Sequence, residues 1–192
     1  SVKNKTQSKI LHYLKENKNK EIVIGGCLTK TINIRKHFPE AKAIFDTNSI
    51  TKINDLIENP HDLFSEKKEY RILAPIIRKD KEIGIIPISE GCLNSCTFCA
   101  TKLSRGNLKS YRIGDIKRAL EFCIKDGAKI IYLTSLDNGC YGLDIKTNLP
   151  ELLSELLQVK GDYKIRIGMM NPWHLRKIKK QLLNIMENKK II

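Results

Sequence analysis

Only one tryptophan occurs in 192 residues, and aromatic side chains make up just 6% of them. No apolar run approaches the roughly 20 residues that a membrane-spanning helix needs, so hydropathy indicates no span. The opening residues, Ser1-Val2-Lys3-Asn4-Lys5-Thr6, contain neither an initiator Met nor an apolar leader. No signal peptide is therefore read, a cytoplasmic location is expected, and the chain reads as the middle of a longer protein. The six cysteines include no second C-x2-C pair and are followed by no H-x3-H. Without an export signal they read as metal ligands and core thiols rather than disulfides. His12, His37, His61 and His174 lack ligand-like spacing and read as surface or packing residues.

Acidic residues are also scarce: 21 against 35 Lys and Arg, a formal charge of +14. Such an excess favours a polyanionic partner, and nucleic acid is the commonest one. A second reading stays open. The cations are mostly Lys, spread along the chain beside abundant Ile and Asn, a pattern that compositional bias of a genome also produces.

Apolar residues at Ile10, Leu11 and Leu14 give residues 5–18 the spacing of an amphipathic helix. Glu21–Cys27 reads as a short buried strand ending in a glycine turn, 31–38 as a helix stopped by Pro39, Ala41–Asp46 as a strand and 49–58 as a helix. Residues 60–82 are charged and poorly periodic. Beyond them the alternation restarts, with strands over Glu82–Ser89, Lys129–Thr134 and Tyr163–Gly168 and helices near 114–126, 148–158 and 174–187. Strand–helix alternation means a parallel sheet with crossover connections. The expected class is α/β: part of a parallel-sheet domain over 1–66, a linker over 67–77, and over 78–192 the first three units, half of a six-unit β/α barrel.

Cys92-Leu-Asn-Ser-Cys96-Thr-Phe-Cys99 follows a C-x3-C-x2-C spacing at the C-terminal end of a predicted strand. Thiolates this close wrap a compact cluster, and Cys is the usual iron–sulfur ligand. Three ligands on a 4Fe-4S cube leave one iron open. In radical-SAM enzymes that iron takes the amino and carboxylate groups of S-adenosylmethionine, whose reductive cleavage yields a 5′-deoxyadenosyl radical. Barrels of β/α units gather their chemistry in loops at strand C-termini, where this motif sits. Phe98 is placed to present an aromatic face to an adenine, and Arg166 to fork onto the carboxylate of S-adenosylmethionine, although a strand-end ion pair suits Arg166 equally. Cys123 falls on the apolar stripe of a helix and reads as core. The competing metal reading is zinc, with Cys140 or a His as fourth ligand.

Residues 88–111, Ile-Ser-Glu-Gly-Cys-Leu-Asn-Ser-Cys-Thr-Phe-Cys-Ala-Thr-Lys-Leu-Ser-Arg-Gly-Asn-Leu-Lys-Ser-Tyr, closely resemble the methylthiotransferase family. The branch resembled is the archaeal and eukaryotic one that acts on N6-threonylcarbamoyladenosine of tRNA. Tyr132–Gly142 and Ile165–Pro172 agree with it as well. The resemblance implies S-adenosylmethionine and two 4Fe-4S clusters as cofactors and tRNA as partner. It makes Cys27, in Gly-Gly-Cys-Leu-Thr-Lys, the third of three ligands to the second cluster; the other two would lie before Ser1. The branch often carries an acidic pair after the second barrel strand. Here Leu136 replaces the first member and Asp137 remains, the residue expected near the S-adenosylmethionine amine. Cys140 stands where the family usually has a small residue, so the resemblance gives it no ligand role.

The function expected on this resemblance is exchange of the adenosine C2 hydrogen for a methylthio group. The alternatives are a zinc-bearing nucleic-acid-binding module and a radical-SAM methylthiotransferase acting on a protein.

Overall fold

A computed structural model describes residues 2–17 and 19–192, leaving the side chains of Val2 and Lys3 aside. Along the chain come α1 (Val2–Glu16), β1 (Val23–Gly25), α2 (Ile34–His37), β2 (Ala43–Phe45) and α3 (Ile53–Glu58). Next are β3 (Ile83–Pro87), β4 (Ser89–Glu90), α4 (Ala100–Arg105), β5 (Lys109–Ser110) and α5 (Ile113–Lys125). The last are β6 (Ile130–Thr134), α6 (Leu149–Leu157), β7 (Lys164–Ile167) and α7 (Pro172–Met186). The chain is α/β, its principal sheets are parallel, and no barrel closes among the described residues. It divides into two compact units, Ser1–Glu69 with Cys96–Arg105, and Tyr70–Ser95 with Gly106–Ile192.

In the first unit β1 and β2 pair in parallel, Ile24 opposite Ile44 and Gly25 opposite Phe45. Their core is Leu14, Ile24, Ile34, Phe38, Ala41 and Ile44. Helix α1 contributes Leu14 from the stripe its sequence predicts; Lys18, the end of the expected helix, lies outside the described residues. The helix expected over 31–38 shrinks to the single turn of α2. Thr31 and Ile32 are β-branched, and Asn33 caps the turn by accepting from the Lys36 N–H at 3.0 Å. The helix expected over 49–58 splits into a tight 3-10 turn at Ile50–Lys52 followed by α3.

The second unit carries a three-stranded parallel sheet ordered β3-β6-β7, with Ile86 opposite Leu133 and Ile131 opposite Ile165. Alternation along the strands sends Ile86, Ile131, Leu133 and Ile165 inward, all essentially without exposure. They meet Ile116 and Leu120 of α5, Leu152, Leu153 and Leu156 of α6, and Leu182 of α7. Burying one such leucine or isoleucine contributes about 1.5–3 kcal/mol. The opposite face, with Ile85, Tyr132 and Arg166, is open to varying degrees. Asn148 and Asn171 cap α6 and α7, each followed by a proline in the first turn, where the missing N–H costs no helical bond.

Candidate functional site

The three loops that leave β3, β6 and β7 at their C-terminal ends meet in the second unit. The loop after β3 is pinched at its base by the antiparallel pair β4–β5, Glu90 opposite Lys109. Glu90 accepts from Arg71 Nη2 at 2.5 Å and from the Tyr111 hydroxyl at 2.9 Å. Burial first, then the neighbouring Glu90 carboxylate, pushes the Tyr111 phenol up to about 12, so it remains a donor. Gly91 follows with φ 70°, a left-handed turn that glycine adopts without steric cost, and delivers Cys92. The Cys92 N–H then bonds to the Gly106 carbonyl at 3.2 Å, tying the two ends of the loop.

After β6 the chain makes a 3-10 turn over Asn138–Cys140. Asp137, 1% exposed, is its hub. Its Oδ1 accepts from the backbone N–H of Gly139 at 3.0 Å and of Asn171 at 3.0 Å. Its Oδ2 accepts from His174 Nδ1 at 2.7 Å and from Asn94 Nδ2 at 3.2 Å. A carboxylate only accepts, so His174 is the donor through Nδ1. One side chain thus joins the Cys92 loop, its own turn and the start of α7. Asn138 N–H bonds to Met169 O at 2.9 Å and Gly168 N–H to Leu133 O at 3.0 Å, stitching the loops after β6 and β7.

Cys92 is half-buried in the second unit. Its Sγ lies with Cys140 Sγ and an Asp137 carboxylate oxygen in a group whose atoms are all within 4.8 Å of one another. Cys140 is fully buried, and that burial raises its thiol to about 12. Arg166 is exposed on the open sheet face, with its guanidinium 5.0 Å from the centroid of the Tyr132 ring, a cation–π pair.

Cys96 and Cys99 belong to the first unit, Cys96 exposed and Cys99 half-buried. Cys99 ends a turn, its N–H bonding to Cys96 O at 3.0 Å, and α4 starts at the next residue. Phe98 between them is 89% exposed. Helix α4 packs on the 3-10 turn Cys27–Lys30, so half-buried Cys27 shares a neighbourhood with the helix that follows Cys99. That turn is fixed by Thr29, whose hydroxyl donates to Gly26 O at 2.8 Å, and by the Lys30–Asp46 ion pair at 2.8 Å.

The donor set suits an iron–sulfur cluster. None of the six cysteines is in a disulfide. The Asn94 N–H points at Cys92 Sγ and the Lys102 N–H at Cys99 Sγ, each at 3.4 Å. Amide bonds to sulfur stabilise thiolate charge and tune cluster potentials. Asp137, expected at the S-adenosylmethionine amine, spends both oxygens on protein donors. Neither its hub role nor the partnership with His174 is visible in spacing, because every partner but Gly139 is distant in sequence. Cys123 packs on Gly84 in the core, as its place on the apolar stripe implies. An apolar groove of about 860 Å³ lies along β3 between residues 72–80 and α5, but none of Cys27, Cys92, Cys96 and Cys99 lines it. No described helix is long and apolar enough to cross a membrane.

No family model matches the chain. Curated relatives do. A protein of Pyrococcus abyssi named "Probable threonylcarbamoyladenosine tRNA methylthiotransferase" is 36% identical over 206 aligned residues, covering 100% of this chain and 47% of the relative. A protein of the same name from Archaeoglobus fulgidus is 34% identical over 97% of this chain and 46% of its own length. The Homo sapiens threonylcarbamoyladenosine tRNA methylthiotransferase is 33% identical over 100% of this chain and 35% of its own length. The chain therefore spans about half the length of these archaeal relatives and about a third of the human one. The likeness runs from end to end of the chain, through both cysteine-bearing segments, and its curated relatives in archaea and eukaryotes share the name threonylcarbamoyladenosine tRNA methylthiotransferase.

Proposed function

We propose that the protein containing this chain replaces the C2 hydrogen of N6-threonylcarbamoyladenosine, at position 37 of tRNA, with a methylthio group. The observation that carries the reading is the Cys92–Cys99 loop: three thiols in eight residues, leaving the C-terminal end of a parallel strand in a chain akin to enzymes of that name. Cys92, Cys96 and Cys99 would hold one 4Fe-4S cluster, and Cys27 would supply one ligand of a second. When bound, the first cluster with S-adenosylmethionine supplies the radical chemistry that removes a hydrogen from an unactivated carbon.

The chain's own residues do the placing. The pinch at β4–β5 and the Asn94–Asp137 bond hold Cys92 at the mouth of the sheet. Arg166, steadied on Tyr132, offers two parallel N–H groups to the cofactor carboxylate. Phe98 offers an exposed ring for adenine to stack on. Asp137 enters through Asn94, as the anchor of the cluster loop. The excess of 35 Lys and Arg over 21 acids serves phosphate contacts, while the modified base in a single-stranded loop gives selectivity. The domain reading of 1–66, linker 67–77 and 78–192 belongs to the same proposal.

Metal analysis after anaerobic purification tests the first step. Iron with sulfide and a brown chromophore is expected, lost when Cys92, Cys96 or Cys99 is replaced by Ala; stoichiometric zinc in its place would overturn the reading. Mass spectrometry of tRNA nucleosides from a deletion strain tests the second. Loss of the 2-methylthio form is expected, and an unchanged profile would point instead to a protein substrate.

A further inference from the structure

Cys140 is a sulfur that the proposed cluster does not use, yet its Sγ stands within 4.8 Å of Cys92 Sγ. Asp137 completes this group, which has the composition of a mononuclear metal site. Its two oxygens already accept four hydrogen bonds, from Gly139 N, Asn171 N, His174 Nδ1 and Asn94 Nδ2. A cation could recruit the carboxylate only by breaking bonds that join three loops. The two sulfurs, by contrast, take part in weak sulfur hydrogen bonds, from Asn94 N–H to Cys92 Sγ at 3.4 Å and from Cys140 Sγ to Asp137 O at 3.2 Å, and they face each other across the group.

We infer that Cys92 and Cys140 are a redox pair: in the metal-free chain, peroxide converts them to a disulfide. Both positions are set by bonds to the backbone. Cys140 ends the 3-10 turn, where its Sγ donates to Asp137 O at 3.2 Å, and the Cys92 N–H is bonded to Gly106 O at 3.2 Å. A disulfide needs its sulfurs about 2.05 Å apart, so a gap of at most 4.8 Å has to shorten by no more than about 2.8 Å. The two thiols differ in access, which orders the chemistry. Cys92 is half-buried as a residue and Cys140 fully buried, although all three members of the group are enclosed where their donor atoms meet. The oxidant therefore reaches Cys92 first, and Cys140 resolves the product.

The Cys92 sulfur attacks one peroxide oxygen, the O–O bond breaks, and the second oxygen leaves as water, giving a sulfenic acid at Cys92. The Cys140 sulfur attacks that sulfenic sulfur, the S–S bond forms, the S–O bond breaks, and the oxygen leaves as water with the Cys140 proton. Two thiols and one hydrogen peroxide become one disulfide and two waters. The sulfur pair loses two electrons and the peroxide gains them. A consequence follows if Cys92 is a cluster ligand, which rests on the function proposed above: the bond takes one of three ligands away, and the chain cannot take up its cluster until a thiol reductant returns it. A chain with a small residue at position 140 has no such partner.

The test uses the whole 192-residue chain, stripped of metal under reducing conditions, freed of reductant and treated with one equivalent of hydrogen peroxide. Free thiols are then alkylated under denaturing conditions and the protein is digested with trypsin without reduction. Cleavage after Lys81 and Lys102 puts Cys92, Cys96 and Cys99 in one peptide, and cleavage after Lys129 and Lys146 puts Cys140 in another. The expected product joins these two peptides, with fragmentation placing the bond at Cys92. Alkylated Cys140 after treatment, or a bond from Cys92 to Cys96 or Cys99, would overturn the inference. Iron and sulfide are then added without thiol reductant. A linked chain that still takes up its full cluster would leave the disulfide standing and remove Cys92 from the ligand set. A chain that never links but needs Cys92 for iron would do the reverse.

Discussion

Replacing Asp137 by Ala removes one acceptor from four donors at once. Two are backbone N–H groups, of Gly139 and Asn171, which cannot rotate away; the third is the ring of His174, 9% exposed. Asn94, half-buried, can turn to water. A buried donor left unpaired costs about 1–3 kcal/mol, so three of them together cost on the order of 4 kcal/mol after partial relaxation. Asp137→Asn retains Oδ1 for the two backbone donors and faces the other two with an amide. The His174 ring can take the other tautomer and accept, which leaves a loss of about 1–2 kcal/mol. Urea unfolding followed by far-UV circular dichroism measures this. At a slope of about 2 kcal/mol/M, the alanine variant should unfold about 2 M earlier than the parent. Hydrogen exchange adds a local readout, since the amides of Gly139 and Asn171 should lose protection first. An alanine variant within about 0.5 kcal/mol of the parent, with both amides still protected, would refute the hub, because surface changes lie in that range.

A Cβ added at Gly25 would fall 2.1 Å from the edge of the Phe45 ring, so Gly25→Ala should destabilise the first unit by about 1–3 kcal/mol in thermal unfolding, and Phe45→Leu in the same chain should recover part of it. Burial alone would raise the Asp46 carboxyl, but bonds from Lys30, Ser49 and the Ser65 N–H outweigh it and hold the group below its ordinary value. That stability is fully present above the ordinary pKa of about 3.9 and is lost as pH falls through the lower folded value. The difference in Tm between parent and Asp46→Asn should accordingly be constant at neutral pH and shrink below about pH 4. Cys123→Ala should cost about 1 kcal/mol as a small core truncation and leave iron content unchanged, checked by urea unfolding and metal analysis.

The second unit was legible because its signals are local and strong. Ile116, Leu120 and Cys123 repeat at helical spacing, and α5 runs over Ile113–Lys125 where 114–126 was expected. The helix expected over 174–187 starts two residues earlier, because Asn171 caps it and Pro172 fills the first turn. Shorter elements left no such trace. Helix α4 has six residues and no apolar stripe, and the β4–β5 ladder has two residues a side, too few for alternation to register. In the candidate site the cysteine loop is contiguous, so spacing alone exposed it. The Asp137 network joins residues 94, 137, 171 and 174, a closure that only the fold makes. Arg166 shows the same limit: a strand-end arginine suggests an ion pair or a ligand fork, while its stacking on Tyr132 depends on parallel register between β6 and β7.

Asn138–Gly139 is the dipeptide most prone to spontaneous ageing in proteins, because the glycine amide nitrogen readily attacks the asparagine side-chain carbonyl and closes a succinimide ring. Here that N–H donates a hydrogen bond to Asp137 Oδ1, while the Asn138 amide is fully buried and held by Ser135 and the Leu133 carbonyl. Ring closure would require the backbone nitrogen to break the first bond and the side chain to leave the second. The turn that anchors the cysteine loop thereby guards its own weakest covalent link, and its chemical lifetime is tied to a single carboxylate.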